Sequence, residues 1–326
     1  MAADLAHLLA PHPVALAVAV LADLAIGDPV YRFHPVRLIG DALRLFEGAL
    51  RSVGADGYGG GIALFVMLAV LSMTAVAAAI FAALLAATAA AWIVHVLVLY
   101  SLLALGDLLH HVWGVERALA QDGLAAGRAA IARLVGRDTD RMDEAACRRA
   151  AIESLSENLT DGFVSALFWY ALLGLPGLVV FKVVSTMDSM VGYKTAQYLR
   201  FGWCGARLDD AMNYLPARLT WLLIAAVAAM VPQCSARKAW VYGRKHSVLM
   251  PSPNSGWSEA ATAGAIQRRL AGPIWKQGVQ VTDLWLGDPD DLPAATRRDI
   301  VRAIVVTVGA GFGAVALAEA ALLIVR

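Results

Sequence analysis

The sequence predicts an all-α fold: a polytopic helical membrane protein with about three to five transmembrane or re-entrant segments and extended cytoplasmic helical regions. Three observations carry that prediction. Of 326 residues, 59% are hydrophobic and only 16% are charged. The mean hydropathy is +0.63. Runs rich in Ala, Leu and Val reach the length of membrane spans. The formal charge of +1, with no long Lys/Arg tract, gives no reason to expect nucleic acid as a partner. Cys147, Cys204 and Cys234 lie far apart without CxxC spacing, so reduced thiols are expected rather than a disulfide framework or a zinc site. The start, Met1-Ala-Ala-Asp-Leu, lacks a basic leader region, and the apolar stretch after it is expected to be retained.

In chain order, the first apolar run is Val14 to Ile26, short for a span and suited to a buried or re-entrant segment. Gly61 to Leu105 is too long for one helix and fits two spans, near 61–82 and 84–105, joined by a very short turn. Segment 106–164 looks helical, with Arg117, Arg128, Arg133, Arg137, Arg141, Arg148 and Arg149 giving it a basic, solvated surface. Ala166 to Val184 is long enough to span but is interrupted by Gly174-Leu-Pro-Gly177, which suits a kinked span or a hairpin of two half-helices. Leu219 to Val231 is again short. The last span, near 301–325, carries Gly309 and Gly313 as a small-xxx-small face for close helix approach, which permits a homodimer or intramolecular packing. Its Gly-Ala-Gly-Phe-Gly string follows no strand and is expected to pack helices rather than to bind a nucleotide.

The basic segments 27–59, 106–164, 185–218 and 233–300 all face the cytoplasm if 166–184 and 219–231 dip without crossing, and that topology is preferred. Residues 1–326 are expected to form one integral-membrane domain, with polar segments 27–44, 136–164, 185–218 and 250–300 carrying the site.

Between Glu153 and Arg218 the chain places many ionisable groups, Lys182 among them, beside membrane-grade sequence, where they are costly and hence functional candidates. Glu153, Glu157 and Asp161 fall at i, i+4 and i+8, stacked on one helix face with Asn158 beside them. Their mutual repulsion calls for a divalent cation or an arginine. Magnesium suits the set, and a solvated carboxylate stripe capped by arginines suits it equally. Asp209-Asp210 with Asn213, flanked by Arg207 and Arg218, combines metal-type oxygens with phosphate-type guanidinium groups. The alternative is a helix N-terminus whose acids complement the dipole. Asp188-Ser189-Met-Val-Gly-Tyr-Lys194 adds a carboxylate, a hydroxyl and an ammonium around a glycine that permits close approach, without the order of a P-loop. Asp23, Asp28, His34 and Arg37 form a compact polar turn after the first apolar run, and Ser252-Pro-Asn254-Ser-Gly256 reads as a rigid turn.

Six ordered strings resemble one family. They are GDPxxxxHPVRLIG from Gly27, GRDT from Gly136, ESLSENLTDGF from Glu153, TMDSMVGYK from Thr186, ARLDDAMNYLPARLT from Ala206, and SPNSG from Ser252. Together they cover nearly the whole chain and resemble the adenosylcobinamide-phosphate synthase family, CobD/CbiB, of cobalamin biosynthesis. Ser185, Ala166 and Leu270-Ala-Gly272 depart from the usual family pattern and bear on local geometry.

The resemblance implies a bacterial inner-membrane ligase with a cytoplasmic site. Such an enzyme joins adenosylcobyric acid to (R)-1-amino-2-propanol or its O-phosphate as an amide, with ATP as co-substrate and Mg2+ as cofactor. A carboxylate cannot expel oxide at neutral pH, so ligation requires its activation, most simply by phosphoryl transfer. The catalytic set this implies is His34, Glu153, Glu157, Asp188 and Lys194. Arg37, Asn158, Ser189, Arg207, Asn213, Arg218, Ser252 and Asn254 are expected to bind substrate or phosphate, and Asp161, Asp209, Asp210 and Asp28 the metal. His34 or one of the acids is expected to take the proton of the incoming ammonium. The implied partners are the corrinoid, the amino alcohol, membrane lipid and other cobalamin-biosynthesis proteins.

Two other classes fit parts of the pattern. A membrane prenyltransferase-like enzyme would use Asp209-Asp210 on a Mg-diphosphate but needs a second acidic motif of that form. A corrinoid-binding or transport protein would also show intramembrane acids and a broken helix. The amount of hydrophilic sequence, and the absence of internal repeats, speak against it.

Overall fold

The computed structural model describes residues 2–28 and 31–324. Pro29 of the first polar turn and Val325 at the end of the last expected span lie outside the described residues. Helix α1 (Ala2–Leu9) is followed by α2 (Pro13–Ile26), whose first position is a proline, where the missing N–H costs nothing. The two are bent by 43° and together are long and apolar enough to count as one span. Pro35 likewise starts α3 (Pro35–Ser52), which buries Ile39, Gly40 and Leu43 along one stripe. Helix α4 (Tyr58–Ala86) is apolar all round, and only 17% of its most apolar window is buried within the protein, as lipid-facing surface requires. A single extended residue, Ala87, separates it from α5 (Thr88–Tyr100), so the short connection predicted between the first two spans is present.

Helix α6 (Leu105–Asp122) continues the second candidate span, and α7 (Leu124–Ile131) and α8 (Glu144–Asn158) follow. Asp143 caps α8, accepting from Ala146 N at 2.6 Å. The helix then loosens into a π-helical segment, Leu159–Val164, before α9 (Ser165–Val191). At Gly174 of α9 the backbone leaves helical space (φ 69°, ψ −153°). A Cβ there would lie 2.2 Å from the Leu9 carbonyl oxygen, so both the conformation and the approach of α1 require glycine. The predicted break in this run is therefore real, with Pro176 just beyond it.

The remaining elements are α10 (Trp203–Met212), α11 (Tyr214–Ala228), α12 (Ala236–His246), α13 (Ser255–Ile266), strands β1 (Leu270–Lys276) and β2 (Val279–Leu286), and α14 (Arg297–Ile324). The antiparallel β1–β2 ribbon is absent from the sequence prediction; it turns at Gln277-Gly278, both at positive φ. Among the described residues four helical runs are long and apolar enough to cross a membrane, or six if the bent pairs are counted. The chain is thus an all-α polytopic membrane protein bearing one small hairpin.

Backbone contacts divide the chain into two compact units. The first comprises Met1–Ala104, Ser165–Asn213 and Val315–Arg326. Its core gathers Leu43 from α3, Leu64 and Leu68 from α4, and Val183, Met187 and Val191 from α9, closed by Phe201. Buried His95 of α5 lies 2.6 Å through Nδ1 from the Leu8 carbonyl and 2.9 Å through Nε2 from the Tyr170 hydroxyl, tying α1 and α9 to α5.

The second unit comprises Leu105–Val164 and Tyr214–Ala314. Its central element, α13, is built from small residues and is buried on nearly every side, which lets α8, α11 and α12 all approach it. Gly309 and Gly313 face α11, where Cβ atoms would meet Val227 Cγ1 at 2.7 Å and Leu223 Cδ2 at 3.0 Å. The small-residue face is therefore consumed inside the chain and gives no argument for a dimer.

The basic surface expected over 106–164 is only partly a wet face. Arg148 reaches Glu116 of α6 at 2.7 Å, Arg128 donates to the Met142 carbonyl at 2.7 Å, and Arg137 pairs with Glu153 at 2.5 Å. Arg141 and Arg149 stack over Trp275 and Trp285 of the hairpin at 4.3 and 5.2 Å.

Candidate active site

In the first unit, α3 and the C-terminal half of α9 line an open cavity of about 800 Å3. Arg32, Arg37 and Arg44 come to it from α3 and the turn before it, and Lys182, Ser185, Thr186 and Ser189 from successive turns of α9. The α9 residues share a face because 182, 185, 186 and 189 follow the i, i+3, i+4, i+7 rule. Arg44 is paired with Asp41 at 2.5 Å. Lys182 is buried, with its apolar stem along α9, so the cavity carries a concentration of cationic and hydroxyl groups suited to phosphate or carboxylate. Of these residues the sequence reading selected Arg37 and Ser189. Lys182 lay in plain view as a charge inside an apolar run, the signal that an intramembrane ionisable group provides. Ser185, one of the departures from the family pattern, lines the cavity directly.

His34 and Asp28 do come together, with His34 Nε2 2.8 Å from Asp28 Oδ1. His34 is buried, its ring against Tyr31, and it does not line the cavity. Its geometry is that of a group holding the turn, not of a base open to substrate.

At the end of α9, Asp188 faces Asp210 of α10 closely enough to interact electrostatically, and Lys194 and Arg207 act on Asp210 in turn. Arg207 Nη1 is 3.9 Å from Asp210 Oδ2. Asp209 Oδ2 accepts from Asn213 Nδ2 at 3.0 Å, and Ser165 Oγ donates to Asn213 Oδ1 at 2.5 Å. Asn213, assigned to substrate from the sequence, is thereby the buried post that orients Asp209. Gly192 leaves room for Asp188: a Cβ would fall 2.2 Å from its Oδ1. Asp209 and Asp210 occupy the last turn of α10, not the first. The reading in which these acids complement a helix N-terminus is thus overturned, since a carboxylate at a C-terminus opposes the dipole.

In the second unit, Glu153 and Glu157 share a face of α8 as expected, while Asp161 sits in the π-helical segment, where the turn is wider. The repulsion in this stripe is relieved by an arginine. Arg137 of the Gly136–Thr139 string donates to Glu153 Oε2 at 2.5 Å, and the Ala271 N–H donates to Glu153 Oε1 at 2.9 Å. The next residue of that string, Asp138, accepts from Gln277 N at 3.2 Å and Gly278 N at 2.7 Å and so pins the hairpin turn.

Asn158 turns its amide back onto the Ser154 carbonyl at 2.9 Å. Arg218, expected to hold phosphate, spends its guanidinium on Asn254 Oδ1 at 2.8 Å and the Tyr214 carbonyl at 2.8 Å, and stacks on Tyr214 and Trp257. Ser252 Oγ accepts from Asn254 N at 3.2 Å, so Ser252, Asn254 and Arg218 jointly rigidify the turn that starts α13.

That turn launches a residue missed by the sequence reading. Glu259 of α13 is 3% exposed. It lines a pocket of about 290 Å3 with Arg137, Glu153, Ser154, Glu157 and Lys276. Burial, and after it the charges of Glu157, Glu153 and Asp161, hold its carboxyl well above the usual range, against the smaller opposing effect of Arg137. An acid inside a run of small apolar residues was the available signal.

Among the described residues no three His, Cys, Asp or Glu side chains converge into a metal cage. With one or two carboxylates from among Asp188, Asp209 and Asp210 the site would suit magnesium, which is commonly held by that number and completes its shell with water and substrate phosphates.

A cationic cavity beside a carboxylate pair in one unit, and a small acidic pocket in the other, mark a polytopic helical membrane protein equipped to hold charged small molecules. Comparison with known proteins makes this specific. Residues 16–307 match the family described as CobD/Cbib protein. A Sinorhizobium cobalamin biosynthesis protein CobD is 40% identical over 305 residues, 90% of this chain and 93% of the relative. The Rhizobium meliloti (strain 1021) protein of that name is 41% identical over 300 residues, 89% and 91% of the two chains. The Pelobacter propionicus protein is 37% identical over 317 residues, 97% and 98%. The chain belongs to the CobD/CbiB family of cobalamin biosynthesis proteins. No solved structure matches it.

Proposed function

We propose that this protein is the amide-forming ligase of its family, joining the carboxylate of adenosylcobyric acid to (R)-1-amino-2-propanol or its O-phosphate at the expense of ATP, in the cell membrane with its site toward the cytoplasm. The observation that carries the reading is the cavity of about 800 Å3 between α3 and α9, where Arg37, Arg32 and Lys182 meet the hydroxyls of Ser185, Thr186 and Ser189. These side chains suit the phosphates that carboxylate activation brings into a site.

The chemistry divides between binding and proton transfer. The substrate carboxylate oxygen takes the terminal phosphoryl group of ATP, releasing ADP. The amine attacks the resulting acyl carbon, phosphate leaves, and the nitrogen gives up a proton. Arg37, Arg32 and Lys182 offset the negative charge that gathers on the phosphoryl oxygens. Asp188, Asp209 and Asp210 would hold magnesium, with Asn213 fixing the Asp209 carboxylate and Lys194 and Arg207 balancing the charge around Asp210. Bound there, the ion would screen phosphate charge and favour an in-line transfer. The proton acceptor is assigned to a carboxylate, because His34 is buried against Asp28 and away from the cavity.

The test is Arg37→Ala and Lys182→Ala in the full-length protein, assayed for amide product by mass spectrometry. Loss of turnover with retained membrane insertion supports the reading. Wild-type rates in both variants contradict it.

A further inference from the structure

The pocket of the second unit is small and acidic, and it is lined by a carboxyl to which no described residue donates a hydrogen bond. Glu153 is fully engaged, its two oxygens taken by Arg137 and the Ala271 N–H. Glu259 is different. It is 3% exposed, and among the described residues no side-chain or backbone group hydrogen-bonds its carboxyl, the nearest cation that acts on it being Arg137, which is already paired with Glu153. A buried carboxyl without a donor is costly, and a site that retains one has reserved it for something that brings a donor. The acidic neighbours Glu153, Glu157 and Asp161 all bear on it electrostatically. A positively charged donor therefore gains most. The volume of about 290 Å3 admits only a small molecule, and Met250 and Ile274 supply an apolar wall beside the carboxyls. Lys276 is exposed at the same pocket, a cation placed outside the buried acid.

We propose that this pocket is the binding site for the primary ammonium of a small amino alcohol, with Glu259 and Glu157 as its carboxylate partners, the alkyl segment against Met250 and Ile274, and Lys276 toward the hydroxyl or its phosphate ester. The proposal rests on the amide-ligase reading for the identity of the amine, and it deepens that reading by giving the nucleophile its own subsite. A three-carbon chain fits the volume, and the ammonium supplies the donors that Glu259 lacks. An added phosphate would sit at the exposed Lys276 end.

The test uses the full-length protein in lipid nanodiscs and 1-amino-2-propanol as the probe, with propane-1,2-diol as the isostere that lacks the ammonium. Calorimetric titration of the wild type is expected to give saturable binding of the amine and none of the diol. Glu259→Gln keeps shape and removes the ionisable oxygen, and it is expected to weaken amine binding by about tenfold or more, as loss of a charge-assisted contact does. Glu157→Gln, at a more exposed position, is expected to weaken it by a few-fold and supplies the same test should Glu259→Gln fail to fold. Lys276→Ala is expected to weaken the O-phosphate and spare the free amine.

Equal binding of amine and diol, or unchanged amine affinity in both glutamine variants, overturns the site. If the variants lose amine affinity while the wild type makes no amide, the pocket stands and the ligase reading falls. If the wild type makes amide and the variants keep their KM for the amine, the reading stands and the pocket assignment falls.

Discussion

Arg137 Nη2 lies 2.5 Å from Glu153 Oε2, and both side chains are about nine-tenths buried, at 10% and 11% exposure. This pair joins the Gly136–Thr139 string to the Glu153–Phe163 string and turns one carboxylate of an acidic stripe into a fixed wall of the second unit's pocket. Glu153 is then a scaffold, and Glu259 is the buried carboxyl left to the pocket. Removing the arginine leaves a buried carboxylate with one backbone donor. Arg137→Ala is expected to cost about 3–5 kcal/mol, the usual penalty for orphaning a buried charge. A fall in the melting temperature of the detergent-solubilised protein checks this, and Arg137→Lys should fall between the two.

Glu259 makes stability depend on pH in a stated direction. Its folded-state carboxyl is held above the ordinary value of 4.5, chiefly by burial and then by Glu157, Glu153 and Asp161, with Arg137 opposing. The folded state therefore binds the proton more tightly than the unfolded chain. Its contribution is fully favourable below about pH 4.5 and is lost as pH rises toward the folded-state value. Glu259→Gln should match the wild type near the acid end and become progressively more stable than it as pH rises. Melting curves of the two proteins from pH 5 to pH 8 decide the sign, and a gap that narrows with rising pH is contrary to expectation.

Gly174 holds φ at 69° with the Leu9 carbonyl where a Cβ would stand. Gly174→Ala is expected to lose about 1–3 kcal/mol from backbone strain alone, and more from the contact with α1. Reduced accumulation of folded protein in the membrane fraction checks it. Pro176→Ala should be far milder, because the break is set by Gly174.

In the cationic cavity, Arg37→Ala and Lys182→Ala each remove a charged donor worth about 1.5–3 kcal/mol to a bound phosphate. KM for the phosphate-bearing substrates is expected to rise roughly tenfold to a hundredfold. Ser252→Ala, which loosens the turn before α13, should act on stability instead.

Much of the fold was legible because hydrophobic length and glycine-proline punctuation are local signals. A pair of helices within 61–105, the break at Gly174, and helix packing at Gly309 and Gly313 all follow from them, although the first break falls at Ala87 and not at 83. The hairpin escaped because the eight residues of β2 alternate only weakly and sit in a segment read as polar. The site was legible as residue types but not as partners. Asn213, Arg218 and Asn254 have the chemistry of ligand-binding groups, yet they take part in hydrogen bonds with Asp209, Ser165, the Tyr214 carbonyl, Ser252 and one another. Lys182 was counted among the ionisable groups in apolar sequence but given no role, and Glu259 was passed over, because a single charge in an apolar run acquires a role only when neighbouring elements close around it. The partner of Glu153, Arg137, was in a string quoted for its family likeness alone.

Formation of the amide itself tests the central claim most directly. Purified full-length protein in liposomes would be given adenosylcobyric acid, (R)-1-amino-2-propanol or its O-phosphate, and Mg-ATP, with products followed by mass spectrometry. The predicted result is a corrinoid heavier by the amine less one water, with one ADP released per amide formed. Corrinoid recovered unchanged, bound to folded protein that turns over no ATP, would contradict it.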